Sequence, residues 1–301
     1  MTEVQKSDPD IPGVRPVDLP EVRASLIRDH VPRPPLDFSA QGYEACGLQQ
    51  GAVEEARQEA MRTADLYFVA RAMGELAVAA SDSLPAYSLA PEDLPGPKGL
   101  LLFGQVPEGM ITREHGTGLS GVLWTTMPGS HGRTFVLIFP VIDNGLRLHL
   151  QGGAARAGRA RWICRTGAFP LTLGDSPNPY KWGDDWTMLM IKSVKAIWLL
   201  MQQPLALTDV AEPDRAARKR LKREGYEPQL VRVIDLRRPL GSSGAGDGDS
   251  NYHHQWIVRG HWRQQWFPKR QVHRPVWIAP HVKGPEGAPM IGGEKVYAWK
   301  K

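Results

Sequence analysis

The sequence predicts an α+β protein with antiparallel sheet(s), two main helices and a C-terminal β module. Three observations carry that expectation. Ala52 to Ala80 is free of proline, with Met61, Ala64, Tyr67, Phe68, Met73 and Leu76 near helical spacing. A second apolar stripe, Trp186, Leu189, Met190, Ser193, Ile197 and Leu200, repeats that period over Asp184 to Gln203. Between them lie short apolar or alternating runs separated by glycine-containing turns, which read as strands.

Residues 1–50 carry Pro9, Pro12, Pro16, Pro20, Pro32, Pro34 and Pro35 with few apolar runs. They read as a disordered or loosely ordered arm, with residues 1 to about 45 dispensable for folding, because they offer little surface to offset ordering entropy. An α+β domain follows over 51–210. It opens with one long helix from Ala52 to about Ala80, with Glu54 and Glu55 in its first turns. Pro85, Pro91, Pro95 and Pro97 then forbid helix. Gly99–Phe103, Val122–Trp124, Thr134–Phe139 and Leu146–Leu150 read as an antiparallel meander packed on that first helix.

The second helix comes next. Residues 211–240 then hold a helix from Asp214 to Glu224, with Leu221 its only large apolar residue, and a strand at Leu230–Ile234. So polar a helix faces solvent or a partner. Residues 241–251, rich in Gly, Ser and Asp, form a flexible loop. The last module, 252–301, reads as strands Tyr252–Trp266 and Val272–Val282, turning near Pro268, with a short third strand at Val296–Trp299.

Composition narrows the function classes. At 301 residues, 42% hydrophobic and 23% charged, the chain is in the globular range. Its longest apolar segment, Trp186 to Met201, is broken by Lys192 and Lys195, and the N-terminus lacks the pattern of a secretory signal. No membrane partner and a cytoplasmic location are expected. Cys46 and Cys164 have no Cys or His at metal-ligand spacing and read as reduced, partly buried thiols. His253 and His254 face opposite sides of a strand, so no metal is expected. With neither a phosphate-binding glycine loop nor a GxSxG nucleophile motif, no cofactor is expected either.

Charge points to the other end of the chain. Glu212 to Lys301 holds 18 Lys and Arg against 9 Asp and Glu, a net +9, so the preceding 211 residues carry −4. Five of nine histidines and five of ten tryptophans lie in the last 49 residues. Strand alternation puts Trp256, Val258, Gly260 and Trp262 on one face and Gln255, Ile257, Arg259, His261 and Arg263 on the other, with His281 a candidate to join the second set. Arginine and lysine suit phosphate, and exposed Trp262, Trp266 or Trp277 suits base stacking. The nucleic-acid-binding candidates are Arg259, His261, Trp262, Arg263, Trp277 and Lys283, with Arg218, Lys219, Arg220, Lys222 and Arg223 on the basic helix. A second reading is a metal-independent ribonuclease or toxin, with His261, Arg259 and His281 as catalytic candidates. A third makes the module a protein–protein interaction surface, its Trp and His residues simply a packed sheet with arginine stems covering the rings.

The runs Val258-Arg-Gly-His-Trp-Arg-Gln-Gln265 and Pro275-Val-Trp-Ile-Ala-Pro-His-Val-Lys-Gly-Pro285 resemble the C-terminal module of a group of proteins from phages, plasmids and integrated elements. That group is similar to the type V-A anti-CRISPR proteins, which lower production of their target nuclease during translation by acting on its nascent chain and messenger RNA. The resemblance implies a mobile-element regulator that binds RNA or a ribosome–nascent-chain complex. It marks Arg259, His261, Trp262, Arg263 and Trp277 as the module's signature.

Overall fold

The computed structural model describes residues 13–29, 37–112, 117–144, 161–174, 178, 185–237 and 255–283. The chain divides into two compact units, Met1–Leu236 and Arg237–Lys301. The predicted strands at 146–150 and 296–299 and the loop at 241–251 lie outside the described residues.

The α+β class is observed, and the sheet at its centre is mixed. Eight strands run β7-β6-β5-β2-β1-β10-β9, with β8 also on β6. They are β1 (Asp65–Val69), β2 (Lys98–Phe103), β5 (Gly121–Pro128), β6 (Thr134–Asp143), β7 (Trp162–Cys164), β8 (Phe169–Leu173), β9 (Ala206–Ala211) and β10 (Val231–Leu236), while β3 (Ile111–Thr112) and β4 (Thr117–Gly118) pair separately. The β2–β5–β6 meander is antiparallel as its glycine turns imply, but β1 pairs in parallel with both β2 and β10.

The long first helix is two helices with a strand between them: α3 (Gln50–Thr63), then β1, then α4 (Arg71–Ser81). Leu66, Tyr67, Phe68 and Val69 are all buried. A parallel strand covered on both faces is a continuous apolar run without period-2 alternation, so the helical spacing of its neighbours passes through it unbroken. The chain turns out of α3 at Ala64, where ψ reaches 144°.

Helices cover both faces of the sheet. On one, α1 (Leu19–Arg28), α2 (Asp37–Cys46) and α3 contribute Leu19, Val22, Leu26, Tyr43, Val53 and Met61 to a core with Leu66, Leu100, Leu123 and Leu137. On the other, α5 (Asp185–Met201) lies beside α4 and sets Trp198 edge-on to Trp124, ring centroids 5.4 Å apart. Among the described residues no helix is long and apolar enough to cross a membrane.

The proline-rich segment corrects the sequence reading. Where described, residues 13–50 are largely helical, and Leu19, Val22, Ala24, Leu26, Tyr43 and Cys46 are buried. Pro16 and Pro20 fall in the opening turns of a 3-10 turn (Pro16–Asp18) and of α1, where a backbone N–H has no helical partner, so their missing donors cost nothing. Counting prolines hid the apolar stripe between them.

The basic helix α6 (Arg215–Arg223) and β10 belong to the first unit rather than to a separate 211–240 segment, because β10 adds to the sheet beside β1. Buried Arg23 of α1 donates to the Gln229 side chain and the Glu227 carbonyl, fixing the stretch between α6 and β10.

Candidate nucleic-acid interface

The C-terminal unit is built on a hairpin. β12 (His261–Phe267) pairs antiparallel with β13 (Val272–Ile278), turning at residues 268–271 beside the predicted Pro268. β11 (Trp256–Val258) pairs with β14 (His281–Lys283). Trp256 opposite Lys283, His261 opposite Ile278 and Phe267 opposite Val272 keep one register throughout, so both ladders belong to a single long hairpin interrupted at residues 259–260 and 279–280. Pro280 has no N–H to give at the interruption. Gly260 admits the rings there: a Cβ on it would stand 2.4 Å from Trp277 Cζ2 and 3.1 Å from Pro280 Cδ.

This register sorts the predicted residues by face. Trp262 lies directly opposite Trp277, and the two rings meet edge to face at 5.3 Å, with Trp277 only 8% exposed and Trp262 half-buried. The pair packs the hairpin, so Trp277 is unsuited to stacking on a base. The exposed ring is Trp266, 43% accessible beside His273 at 4.9 Å, and Phe267 next to it is 36% accessible. Lys269 and Arg270 are exposed in the adjoining turn. Position near the Pro268 turn was the signal for this tip, since both strands of a hairpin lose neighbours there.

Arg259, His261 and Arg263 are all exposed, and they occupy the face opposite the Trp262–Trp277 pair, as alternation predicts. Arg263 donates to the Gln265 side chain. His281 stands opposite Val258, which places it by register on the tryptophan face and not beside His261. The two imidazoles are built alike: His261 Nδ1 lies 3.0 Å from the Arg259 carbonyl and His281 Nδ1 3.1 Å from the Ala279 carbonyl. A carbonyl only accepts, so in each neutral ring Nδ1 carries the proton and Nε2 is the acceptor. Acid–base cleavage of a phosphodiester needs two such groups around one phosphorus, and the register separates this pair. Lys283 is exposed at the end of β14.

The basic helix divides in the same way. Asp214 caps α6 by accepting from Ala217 N–H at 2.7 Å. Its end is a Schellman turn: Gly225 at φ +82° lets Tyr226 N–H reach the Leu221 carbonyl and Gly225 N–H the Lys222 carbonyl. Ala217 and Leu221 are buried, Arg220 pairs with Glu21 of α1 at 2.7 Å, and Glu224 with Arg28 at 2.9 Å. Arg218 lies 3.6 Å from Glu212. Arg218 and Arg220 are therefore engaged within the protein, whereas Lys219, Lys222 and Arg223 are exposed. Arg215, which the sequence reading left out of the site, joins them.

A scan against protein-family models finds none that matches this chain, and no curated protein matches it.

Proposed function

We propose that this protein binds single-stranded RNA through the tip and arginine face of its C-terminal hairpin, as a regulator carried by a mobile element. The observation that carries this reading is the exposed hairpin tip, where Trp266 stands on the tryptophan face and Phe267 on the face of Arg263, next to the exposed Lys269 and Arg270 of the turn. Single strands offer both phosphates and unstacked bases, and proteins that hold them combine cations with accessible aromatic rings. The resemblance of residues 258–265 and 275–285 to the phage and plasmid module supports a target in translation, a messenger RNA or a ribosome–nascent-chain complex. Binding without cleavage is favoured over the ribonuclease reading because His261 and His281 fall on opposite faces.

The test is titration of the full chain with a labelled unstructured RNA across salt concentrations. Arg259, Arg263, Lys269 and Arg270 neutralising four phosphates give a slope of log affinity against log salt of about −2.8, and Arg259→Ala/Arg263→Ala lowers its magnitude by about 1.4. Affinity that stays flat with salt, or a double variant with the wild-type slope, refutes the proposal and favours a protein partner.

A further inference from the structure

The basic helix α6 meets the rest of its unit with one side only. At 100° per residue, Arg215, Lys219, Lys222 and Arg223 fall within about 100° of arc, and buried Ala217 and Leu221 lie on the reverse of the helix. The four cations stand in a line of about 12 Å, eight residues at 1.5 Å each. The line is held in place rather than merely exposed. The Asp214 cap and the Schellman turn at Gly225 fix the two ends of the helix, and the Arg220–Glu21 and Arg28–Glu224 ion pairs tie its C-terminal half to α1. Arg218 and Arg220 supply internal pairing, and the other four cations have no carboxylate within ion-pair distance among the described residues.

We infer that this stripe is a second binding surface, separate from the hairpin, for the phosphate backbone of double-helical nucleic acid. Its composition selects the ligand. No aromatic or large apolar side chain stands among Arg215, Lys219, Lys222 and Arg223, so the stacking that gives single strands much of their affinity is missing. A lipid surface is disfavoured for a related reason. Interfacial helices bury an apolar face in the bilayer, and Ala217 and Leu221 of α6 are already buried within the protein. A duplex carries one phosphate per about 1.7 Å of axis, counting both strands, so about seven fall within the length of the stripe, a charge density that the cations meet without reading bases. Sequence-independent binding follows, alike for duplex RNA and duplex DNA. The inference takes its ligand class from the nucleic-acid reading above but uses none of the hairpin's residues, so the two can fail separately.

The experiment uses the full chain carrying Arg259→Ala/Arg263→Ala/Trp266→Ala/Lys269→Gln/Arg270→Gln, to silence the hairpin, with and without Lys219→Gln/Lys222→Gln/Arg223→Gln. Blunt 20-base-pair RNA and DNA duplexes of two unrelated sequences are titrated from about 50 to about 200 mM salt, a range in which four phosphate contacts lose about 150-fold in affinity. The stripe intact should show a slope near −3.6, the triple substitution one near −0.9, and the two duplex types should agree within a few-fold. Circular dichroism melts that coincide show that α6 still folds. Equal duplex binding with and without the triple substitution overturns the inference. So does a stripe-dependent affinity for anionic phosphatidylserine vesicles in a protein that ignores both duplexes. Loss of single-strand binding in the hairpin variant, with duplex binding kept, supports both proposals. Duplex binding kept while the intact hairpin shows no single-strand binding supports the stripe alone.

Discussion

Leu19→Ala tests whether the proline-rich N-terminal region is part of the core. Leu19 is completely buried in α1 and joins Val22, Leu26, Val53, Leu66 and Leu100 in one cluster. Truncating a leucine in such a place removes its transfer energy and leaves a cavity, at about 2–5 kcal/mol. For a unit ending at Leu236, each kcal/mol moves the melting midpoint by about 2–4 °C, so a drop of roughly 4–20 °C is expected. Deleting residues 1–29 goes further. It strips Leu19, Val22 and Leu26, each contributing about 1.5–3 kcal/mol of burial, against a total stability of about 5–15 kcal/mol. Thermal and urea unfolding followed by far-ultraviolet circular dichroism measure both. A chain starting at residue 30 that melts cooperatively at the wild-type temperature refutes the packing of α1.

Three other side chains carry expected outcomes of the same kind. The Arg57 guanidinium is fully buried, donating to Glu54 at 2.6 and 3.0 Å and to the Cys164 carbonyl at 3.3 Å, so Arg57→Met should cost about 3 kcal/mol in urea unfolding, and a cost under about 1 kcal/mol contradicts that network. Burial lowers the Lys195 ammonium, 4.2 Å from the Tyr87 ring centroid, to about 8, against 10.5 for an ordinary lysine. Between those values the unfolded chain binds more protons than the folded one, so Lys195 makes stability rise with pH across that window by at most about 1.4 kcal/mol per pH unit. Lys195→Met should remove the rise and be the more stable protein at pH 7, and identical pH profiles contradict it. Trp277→Ala should unfold the hairpin, at about 3–5 kcal/mol, seen as loss of its near-ultraviolet signal; weaker RNA binding with an unchanged fold would instead put that ring on the binding surface.

Much of this was legible in the residues, and the failures have physical reasons. α5 announced itself by its apolar period, because solvent on one side of a helix enforces a pattern, and α6 was legible as a polar helix over 214–224. The turn near Pro268 and the shared face of Arg259, His261 and Arg263 followed from alternation, but the cross-strand register did not, and it is the register that puts His281 on the other face. β1 was hidden because burial on both faces erases the alternation that reveals a strand. α1 was hidden because its prolines sit where helices tolerate them. Within the site, alternation cannot tell a tryptophan paired across strands from one near a turn, so Trp262 and Trp277 competed with Trp266 until the ladder was known. The division of α6 into engaged and exposed cations depended on Glu21 and Glu212, and Glu21 is almost two hundred residues from Arg220.

The central claim is that the hairpin tip stacks on unpaired bases, and Trp266→Ala tests it most directly. Trp266 is 43% exposed and the one ring contact of its indole among the described residues is with His273, so its removal should leave the melting midpoint within about 2 °C. Affinity for an unstructured RNA, read by fluorescence anisotropy at fixed salt, should fall by about 1–3 kcal/mol, the value of one base–aromatic stack, or roughly 5-fold to 150-fold. The salt slope should stay where it was, because no phosphate contact has been lost. An unchanged affinity, or a loss matched by an equal loss of stability, would contradict the account.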